Sequence, residues 1–251
     1  MRVSVRDLQV TYRMPGGLSL PALGPLSFEV ESGQFVAIVG PSGCGKSSLI
    51  RVLAGLQKPS SGNAYLGHQP IQEPSPAVGL MFQDSNLMPW RTVIDNIALP
   101  LELAGVPKLE RRAQAADLIP QLGLDGFEES YPGELSGGMA QRVALGRVLI
   151  QRPEVLLLDE PFGALDALTR EQISLDLLQL WQQSGATAIM VTHDIREAVL
   201  LADRVFVFSQ RPGKLIADVH ITLPRPRHSD DMFNEAFGDF VRQVRAAIDR
   251  A

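Results

Sequence analysis

Residues 34–47 read Gln34-Phe35-Val36-Ala37-Ile38-Val39-Gly40-Pro41-Ser42-Gly43-Cys44-Gly45-Lys46-Ser47. The last eight satisfy the phosphate-binding pattern G-x-x-x-x-G-K-[ST] at every fixed position. Each position has its own task. Gly40, Gly43 and Gly45 let the backbone curl so that its N–H groups point inward at a phosphate chain, with Pro41, Ser42 and Cys44 between them. Lys46 adds a positive charge at the β/γ end, and the Ser47 hydroxyl, followed by Ser48, is placed for Mg²⁺. The apolar, β-branched run ahead of Gly40 is what a buried parallel strand requires. Leu49, Val52, Leu53 and Leu56 then recur at helical spacing. The loop therefore joins a strand to a helix whose N-terminus lends its partial positive charge to the phosphates. A glycine-rich turn of no function would not be framed in this way, so the stretch predicts an α/β fold that binds a nucleoside triphosphate.

A chain of 251 residues can bury a substantial core as one large α/β domain or two small ones. Its 45% hydrophobic and 20% charged content suit a globular protein. The net charge of −5 provides no basic footprint, which disfavours nucleic acid as the main partner. No apolar run reaches the ~18–20 residues needed to span a bilayer. The opening residues Met1–Arg6 lack a secretory apolar core, so a cytoplasmic location is expected. The single cysteine, Cys44, excludes an intrachain disulfide. Its place at a helix N-terminus inside the phosphate loop favours the thiolate. Two expectations for it stand side by side: a reactive thiol protected by ATP, or a small residue that merely fits the loop.

Val3, Val5, Leu8 and Val10, then Leu26, Phe28 and Val30, alternate in the β manner on either side of a Gly/Pro-rich turn at 15–25. They predict an antiparallel sheet beside the nucleotide core, joined by a strand at Ala64-Tyr65-Leu66. From 85 to about 150 the pattern is helical, with apolar residues near 93–103, 109–119 and 139–150; Pro120 ends or kinks the second run. Strands follow at 155–158, 187–192 and 204–208, separated by helices at about 167–183 and 194–202, which argues for a parallel sheet covered on both faces. Leu223–Arg227 forms a stiff, extended connector. Beyond it Phe233, Phe237, Phe240, Val244 and Ile248 predict a C-terminal amphipathic helix over about 228–251, with Ser229 as N-cap, packed on its own domain.

Two further segments carry chemistry. Val155-Leu156-Leu157-Leu158-Asp159-Glu160 places two carboxylates at the carboxyl end of a buried strand, where open α/β sheets bind ligands. Asp159 offers a hard oxygen to Mg²⁺, and Glu160 is placed to orient and deprotonate an attacking water. Alone, the pair could be no more than a helix N-cap; downstream of a phosphate loop the catalytic reading prevails. Leu135-Ser136-Gly137-Gly138-Met139 opens a helix with a second anion-ready N-terminus. One nucleotide needs one phosphate loop, so a second such site implies a γ-phosphate approached from elsewhere. Gly146, inside that helix, costs up to ~1 kcal/mol relative to Ala and points to close packing.

With these motifs in order, the chain resembles the nucleotide-binding subunit of ATP-binding-cassette (ABC) transporters over nearly its whole length. The resemblance rests on the phosphate loop, Gln83, Leu135–Gly138, Asp159-Glu160, Ala164-Leu165-Asp166 and His193. It implies a P-loop parallel-sheet core with an N-terminal antiparallel β-subdomain and an inserted α-helical signature subdomain, 1–251 forming a single ATPase domain. It also implies that Gln83 senses Mg²⁺ and the attacking water, that Asp166 mediates crosstalk between the two sites of a dimer, and that His193 holds the γ-phosphate and catalytic water. Tyr12, 28 residues before Gly40, matches the aromatic that stacks on adenine. Met139 and Ala140 depart from the commonest pattern, although the Met is frequent in one importer branch.

Phe82-Gln83-Asp84, Leu87–Val93, the Met-containing signature, Pro161–Asp166 and the Leu223–Arg227 connector are similar to importers of nitrate, sulfonate, taurine and related solutes. The implied partners are a second copy or a close relative, transmembrane permease subunits and, indirectly, an extracytoplasmic solute-binding protein, with the chain at the cytoplasmic face of the membrane. The implied cofactors are ATP and Mg²⁺. A soluble ABC ATPase of DNA maintenance or translation is the rival reading. The 51 residues between Gln83 and Leu135 are too few for a long coiled coil, and a single cassette argues against a tandem factor. A P-loop kinase or GTPase lacks an Asn-Lys-x-Asp motif and leaves the signature unexplained.

Overall fold

The computed structural model describes residues 1–13 and 15–250. Met14 and Ala251, the latter the end of the expected C-terminal helix, lie outside them. Apolar runs with β-branched residues build the central sheet from five parallel strands, numbered in chain order: β3 (Phe35–Val39), β6 (Val78–Met81), β7 (Val155–Asp159), β8 (Thr187–Val191) and β9 (Arg204–Phe208). β10 (Leu215–His220) adds an antiparallel edge, and the order is β10-β9-β3-β8-β7-β6. Successive residues of each strand feed two different cores, because side chains alternate across a sheet. Val155 and Leu157 join Val36, Ile38, Ile189 and Phe206 on one side, whereas Leu156 and Leu158 join Ala37, Met190 and Val205 on the other.

The first side is covered by α1 (Lys46–Leu53) and by an antiparallel sheet of β1 (Val3–Arg13), β2 (Ser19–Val30), β4 (Ser61–Leu66) and the short β5 (Gln69–Pro70), in the order β2-β1-β4-β5. Val3 faces Val30 and Val5 faces Phe28, as the alternation requires. The turn expected at 15–25 is shorter than the sequence suggested. β2 starts at Ser19, with Leu20 opposite Tyr12 and Pro21 opposite Thr11. Pro21 and Pro25 are tolerated because β2 is the edge of its sheet, where a missing N–H breaks no ladder.

The other side carries the helices α2 (Val93–Ile97), α3 (Leu99–Leu103), α4 (Lys108–Leu118), α5 (Gly137–Leu149), α6 (Ala167–Ser184), α7 (Ile195–Leu201) and α8 (Glu235–Ile248). The apolar run at 93–103 is two short helices, since Pro100 has no N–H to continue α2. Pro120 ends α4 and opens a 3₁₀ turn, Pro120–Leu122. The C-terminal helix needs correction: it starts at Glu235 behind Asn234, and Ser229 does not cap it. The Asp231 carboxylate takes the His228 N–H at 2.7 Å, folding Ser229–Phe233 into a separate 3₁₀ turn and leaving Phe233 exposed. Phe237 and Val244 are buried against the helical-side core, so α8 packs on its own chain. The connector ahead of it is pinned. Arg227 is buried and its guanidinium donates to the carbonyls of Val199, Leu200 and Ala202, closing the C-terminus of α7.

Candidate active site

The phosphate loop crosses from the carboxyl end of β3 to α1 and lines a cavity of about 250 Å³. Ser42, Gly43, Gly45, Lys46, Ser47 and Ser48 face it, together with Tyr12 from β1 and Glu160 beyond β7. Gly45 adopts φ 102°, and a Cβ there would lie 2.6 Å from Leu23 Cδ2 and 2.7 Å from the Ala22 oxygen, so only glycine fits beneath β2. The Lys46 ammonium donates to the carbonyls of Gly40 (2.8 Å) and Pro41 (3.0 Å). The third donor of the ammonium points at Cys44 Sγ, 4.0 Å away, a weak acceptor that a phosphate oxygen can replace.

Cys44 resolves the two expectations stated for it. Its side chain is 1% exposed, in the core between β2 and α1. Burial pushes the thiol pKa up and outweighs the nearby Lys46 charge. The reactive-thiolate expectation is therefore wrong: removal from water costs a thiolate more than one neighbouring cation returns. Cys44 belongs to the loop as a packing residue.

The Ser47 hydroxyl donates to Asp159 Oδ1 at 3.0 Å. Burial raises the pKa of Asp159; the Ser47 bond works against this, and the adjacent Glu160 carboxylate adds to it. Two hard oxygen ligands thus meet where burial outweighs the help that Ser47, Arg51 and Lys46 give the anionic form, and a divalent cation fits there. Among the described residues no three His, Cys, Asp or Glu side chains gather into a metal cluster. A hydroxyl and one carboxylate are the donor set that Mg²⁺ accepts, since it takes one or two protein oxygens and completes its shell with phosphate and water.

Glu160 holds φ 48°, a strained conformation for a non-glycine residue, fixed by its N–H bonding the Val191 carbonyl at 2.9 Å. Its Oε2 lies 3.3 Å from Nδ1 of His193, at the carboxyl end of β8. A carboxylate and an imidazole therefore converge beside the phosphate loop. The half-buried Tyr12 is tied to the loop by its hydroxyl, 2.8 Å from Ser48 Oγ and donating to Gln57 Oε1 at 3.0 Å.

Other expected site residues stand apart from this cavity. Ser136 caps α5, accepting from Met139 N at 3.3 Å, and lines a separate cavity of about 470 Å³ with Gly138 and Thr169; Gly137 is the first residue of the same helix. Asp166 caps α6 through Thr169 N at 3.1 Å, and this bond holds its carboxyl below the usual range. Gln83 is exposed, and its carbonyl accepts from Gln141 Nε2 on α5 at 2.8 Å. Arg147 of the same helix donates to the carbonyls of Ser85 (2.6 Å) and Asn86 (2.8 Å). The segment after β6 is thus fastened by its backbone to the helix that Ser136 begins.

One residue the sequence reading missed is Arg211, which lines the phosphate-loop cavity. It sits in the β9–β10 turn, which is docked on β2 by Gly213 N to Ala22 O (3.0 Å) and Gly24 N to Gly213 O (2.9 Å). The available signal was Pro212-Gly213 after a parallel strand, a turn at the end of the sheet where ligands bind.

Comparison with known proteins gives a consistent picture. The ABC transporter family model matches residues 23–163. A nitrate import ATP-binding protein of Synechococcus elongatus is 42% identical over 98% of this chain, which spans 39% of that longer protein. An aliphatic sulfonates import ATP-binding protein of Bacillus cereus is 41% identical over 97% of this chain and 94% of its own length. A taurine import ATP-binding protein of Yersinia pestis is 46% identical over 78% and 77%. Among solved structures, a dimeric ATP-binding cassette in a post-hydrolysis state with ADP and Pi superposes with a TM-score of 0.76 at 31% identity, covering 88% of this chain and all of that one.

Proposed function

The chain belongs to the ABC transporter family, and from that premise we propose that it is the ATP-hydrolysing subunit of an importer for a small solute of the nitrate, sulfonate or taurine kind. The observation that carries the reading is the division of the site. The phosphate loop and Glu160 line one cavity, with Asp159 bonded to Ser47 and His193 in contact with Glu160 behind them, whereas Ser136 and Gly138 line another. A second subunit supplies the missing half to each nucleotide, Asp166 lying at the junction.

In this reading the loop N–H groups and Lys46 hold the ATP phosphates, and Tyr12 offers its ring to the base. Ser47 Oγ and Asp159 would hold Mg²⁺, which would neutralise charge on the β- and γ-phosphate oxygens; Gln83, apart from the cavity here, would sense the ion and the attacking water once the segment after β6 closes on the nucleotide. Glu160 orients the attacking water and accepts its proton, and His193 holds that water against the γ-phosphate. Loss of the γ-phosphate releases the Ser136–Gly138 contact, and dimer opening moves the permease subunits. A permease at the membrane and, outside it, a solute-binding protein complete this reading, which the relatives named as import ATP-binding proteins support. No helix among the described residues is long and apolar enough to cross a membrane, so attachment is through those partners.

Purification from solubilised membranes tests this. The chain is expected to bring down a polytopic membrane protein, and Glu160→Gln in that complex to keep ATP binding while losing turnover. A chain that purifies without a membrane partner and hydrolyses ATP while bound to nucleic acid or ribosomes would support the soluble alternative.

A further inference from the structure

Arg170, in the first turn of α6, makes three contacts that join two loops. Its Nε donates to the Phe162 carbonyl at 3.2 Å and its Nη2 to the Leu165 carbonyl at 2.6 Å. Its Nη1 reaches Asp194 Oδ2 at 3.4 Å. The first two carbonyls belong to the segment between Glu160 and Asp166, and Asp194 is the residue after His193. Asp194 is itself held, since its Oδ1 accepts from the N–H groups of Arg196 (2.8 Å) and Glu197 (3.2 Å), capping α7. The Glu160–His193 contact closes the circuit on the other side. Gly163 lies inside it, where an added Cβ would stand 3.4 Å from His193 Cε1. The guanidinium is about one-fifth exposed, so water only partly screens these bonds.

We propose that Arg170 is a positioning residue for hydrolysis, locking the Pro161–Asp166 segment to the His193 loop so that Glu160 and His193 are presented to the γ-phosphate as one unit. The inference rests on the assignment of Glu160 and His193 as the hydrolytic pair. A planar fork with donors on three nitrogens suits this task; an ammonium on a flexible stem cannot reach two carbonyls and a carboxylate together. Because Asp166 closes the same segment and stands at the expected subunit junction, the strut also gives the partner subunit a rigid route to His193.

The test is a double-mutant cycle on the purified protein, reading kcat together with the affinity and stoichiometry of fluorescent ATP. Arg170→Ala is expected to lower kcat on the order of 10- to 100-fold, the usual effect of a small misplacement of reacting groups. Nucleotide Kd and the number of sites per chain stay unchanged, because Arg170 does not line the phosphate-loop cavity. Arg170→Lys recovers part of the loss. Asp194→Asn keeps the α7 cap while removing the charge, and Arg170→Ala costs less in that background than in the wild type. Wild-type turnover by Arg170→Ala, a rate loss that only follows lost nucleotide sites, or strict additivity with Asp194→Asn overturns the proposal. Glu160→Gln is measured alongside. If it is inactive while Arg170→Ala is normal, the strut alone is wrong; if it still turns over, the hydrolytic assignment fails and the strut with it.

Discussion

Gly146 tests how closely the helix begun by Ser136 is packed. It lies inside α5, where replacing glycine by alanine ordinarily gains ~1 kcal/mol of helix stability. Here the added Cβ would stand 2.5 Å from Leu122 Cδ1 and 3.3 Å from Ile97 Cγ1. Both neighbours are essentially fully buried, so neither can swing into solvent. Carbon atoms pack best at ~3.5–4.0 Å, so Leu122 must retreat by roughly 1 Å, and overpacking of that kind costs ~1–3 kcal/mol. Set against the propensity gain, Gly146→Ala should destabilise the protein by ~0–2 kcal/mol. Leu122→Ala empties the contested space at a cost of ~2–5 kcal/mol. In that background the same Gly146→Ala change should stabilise by ~1 kcal/mol or more, because propensity and cavity filling now act together. Urea unfolding of the four proteins gives both increments, with constant m-values confirming a common transition. A Gly146→Ala effect of the same sign and size in both backgrounds would refute the close-packing account.

Three other outcomes follow from the geometry. Arg211→Ala should weaken ATP and ADP binding by up to about 5-fold, the worth of an exposed cation beside a phosphate chain, measured by titration calorimetry; an unchanged Kd would exclude it from the site. Cys44 should react with a disulfide reagent only as fast as the chain opens, and rapid stoichiometric labelling of the folded protein would show that its burial is wrong. Glu197, buried with Thr192 and Ser174 hydroxyls on its oxygens and Asp194 and Arg170 nearby, has its pKa raised above 4.5, chiefly by burial. The folded state then holds this proton more tightly than the unfolded state, so the contribution of Glu197 falls as pH rises from 4.5 through the raised value. Glu197→Gln should therefore gain stability relative to wild type as pH rises above 4.5, and a pH-independent difference in urea midpoints would contradict this.

The parts of the fold that could be read in the sequence are those whose residues report on their own surroundings. Phe35–Val39 and Val155–Leu158 are apolar on both faces because both faces are buried, and alternation at Val3–Val10 revealed a sheet with one covered face. β6 was missed because four residues containing Gly79 carry no periodicity, and β10 because its apolar Leu215-Ile216-Ala217 run in succession instead of alternating with polar residues. The C-terminal pattern misled at Phe233. Its spacing from Phe237 is helical, yet an Asp231 side chain took the His228 N–H and started a different turn. A competing local hydrogen bond of that kind leaves no trace in hydrophobic spacing.

The site divides along the same line. Gly40–Ser48 and Asp159-Glu160 carry their chemistry in contiguous residues, so their meeting at Ser47 and Asp159 was legible. Arg211 and the Gln141–Gln83 bond join segments dozens of residues apart, and Arg170 reaches Asp194 24 residues along the chain; only the fold brings them together. Cys44 shows the opposite failure. Position in a phosphate loop suggested a thiolate, but the overlying β2 decides its burial and so its proton affinity.

In the proposed function one chain holds only half of each ATP site. Sedimentation equilibrium of Glu160→Gln, with and without ATP and Mg²⁺, measures it directly, with Ser136→Phe added as a second substitution to block the facing half. The expected result is a monomer without nucleotide, a dimer with two ATP molecules when it is added, and loss of that dimer, but not of ATP binding, in the double variant. A protein that fills its sites with ATP and stays monomeric, or a dimer indifferent to Ser136→Phe, would contradict it.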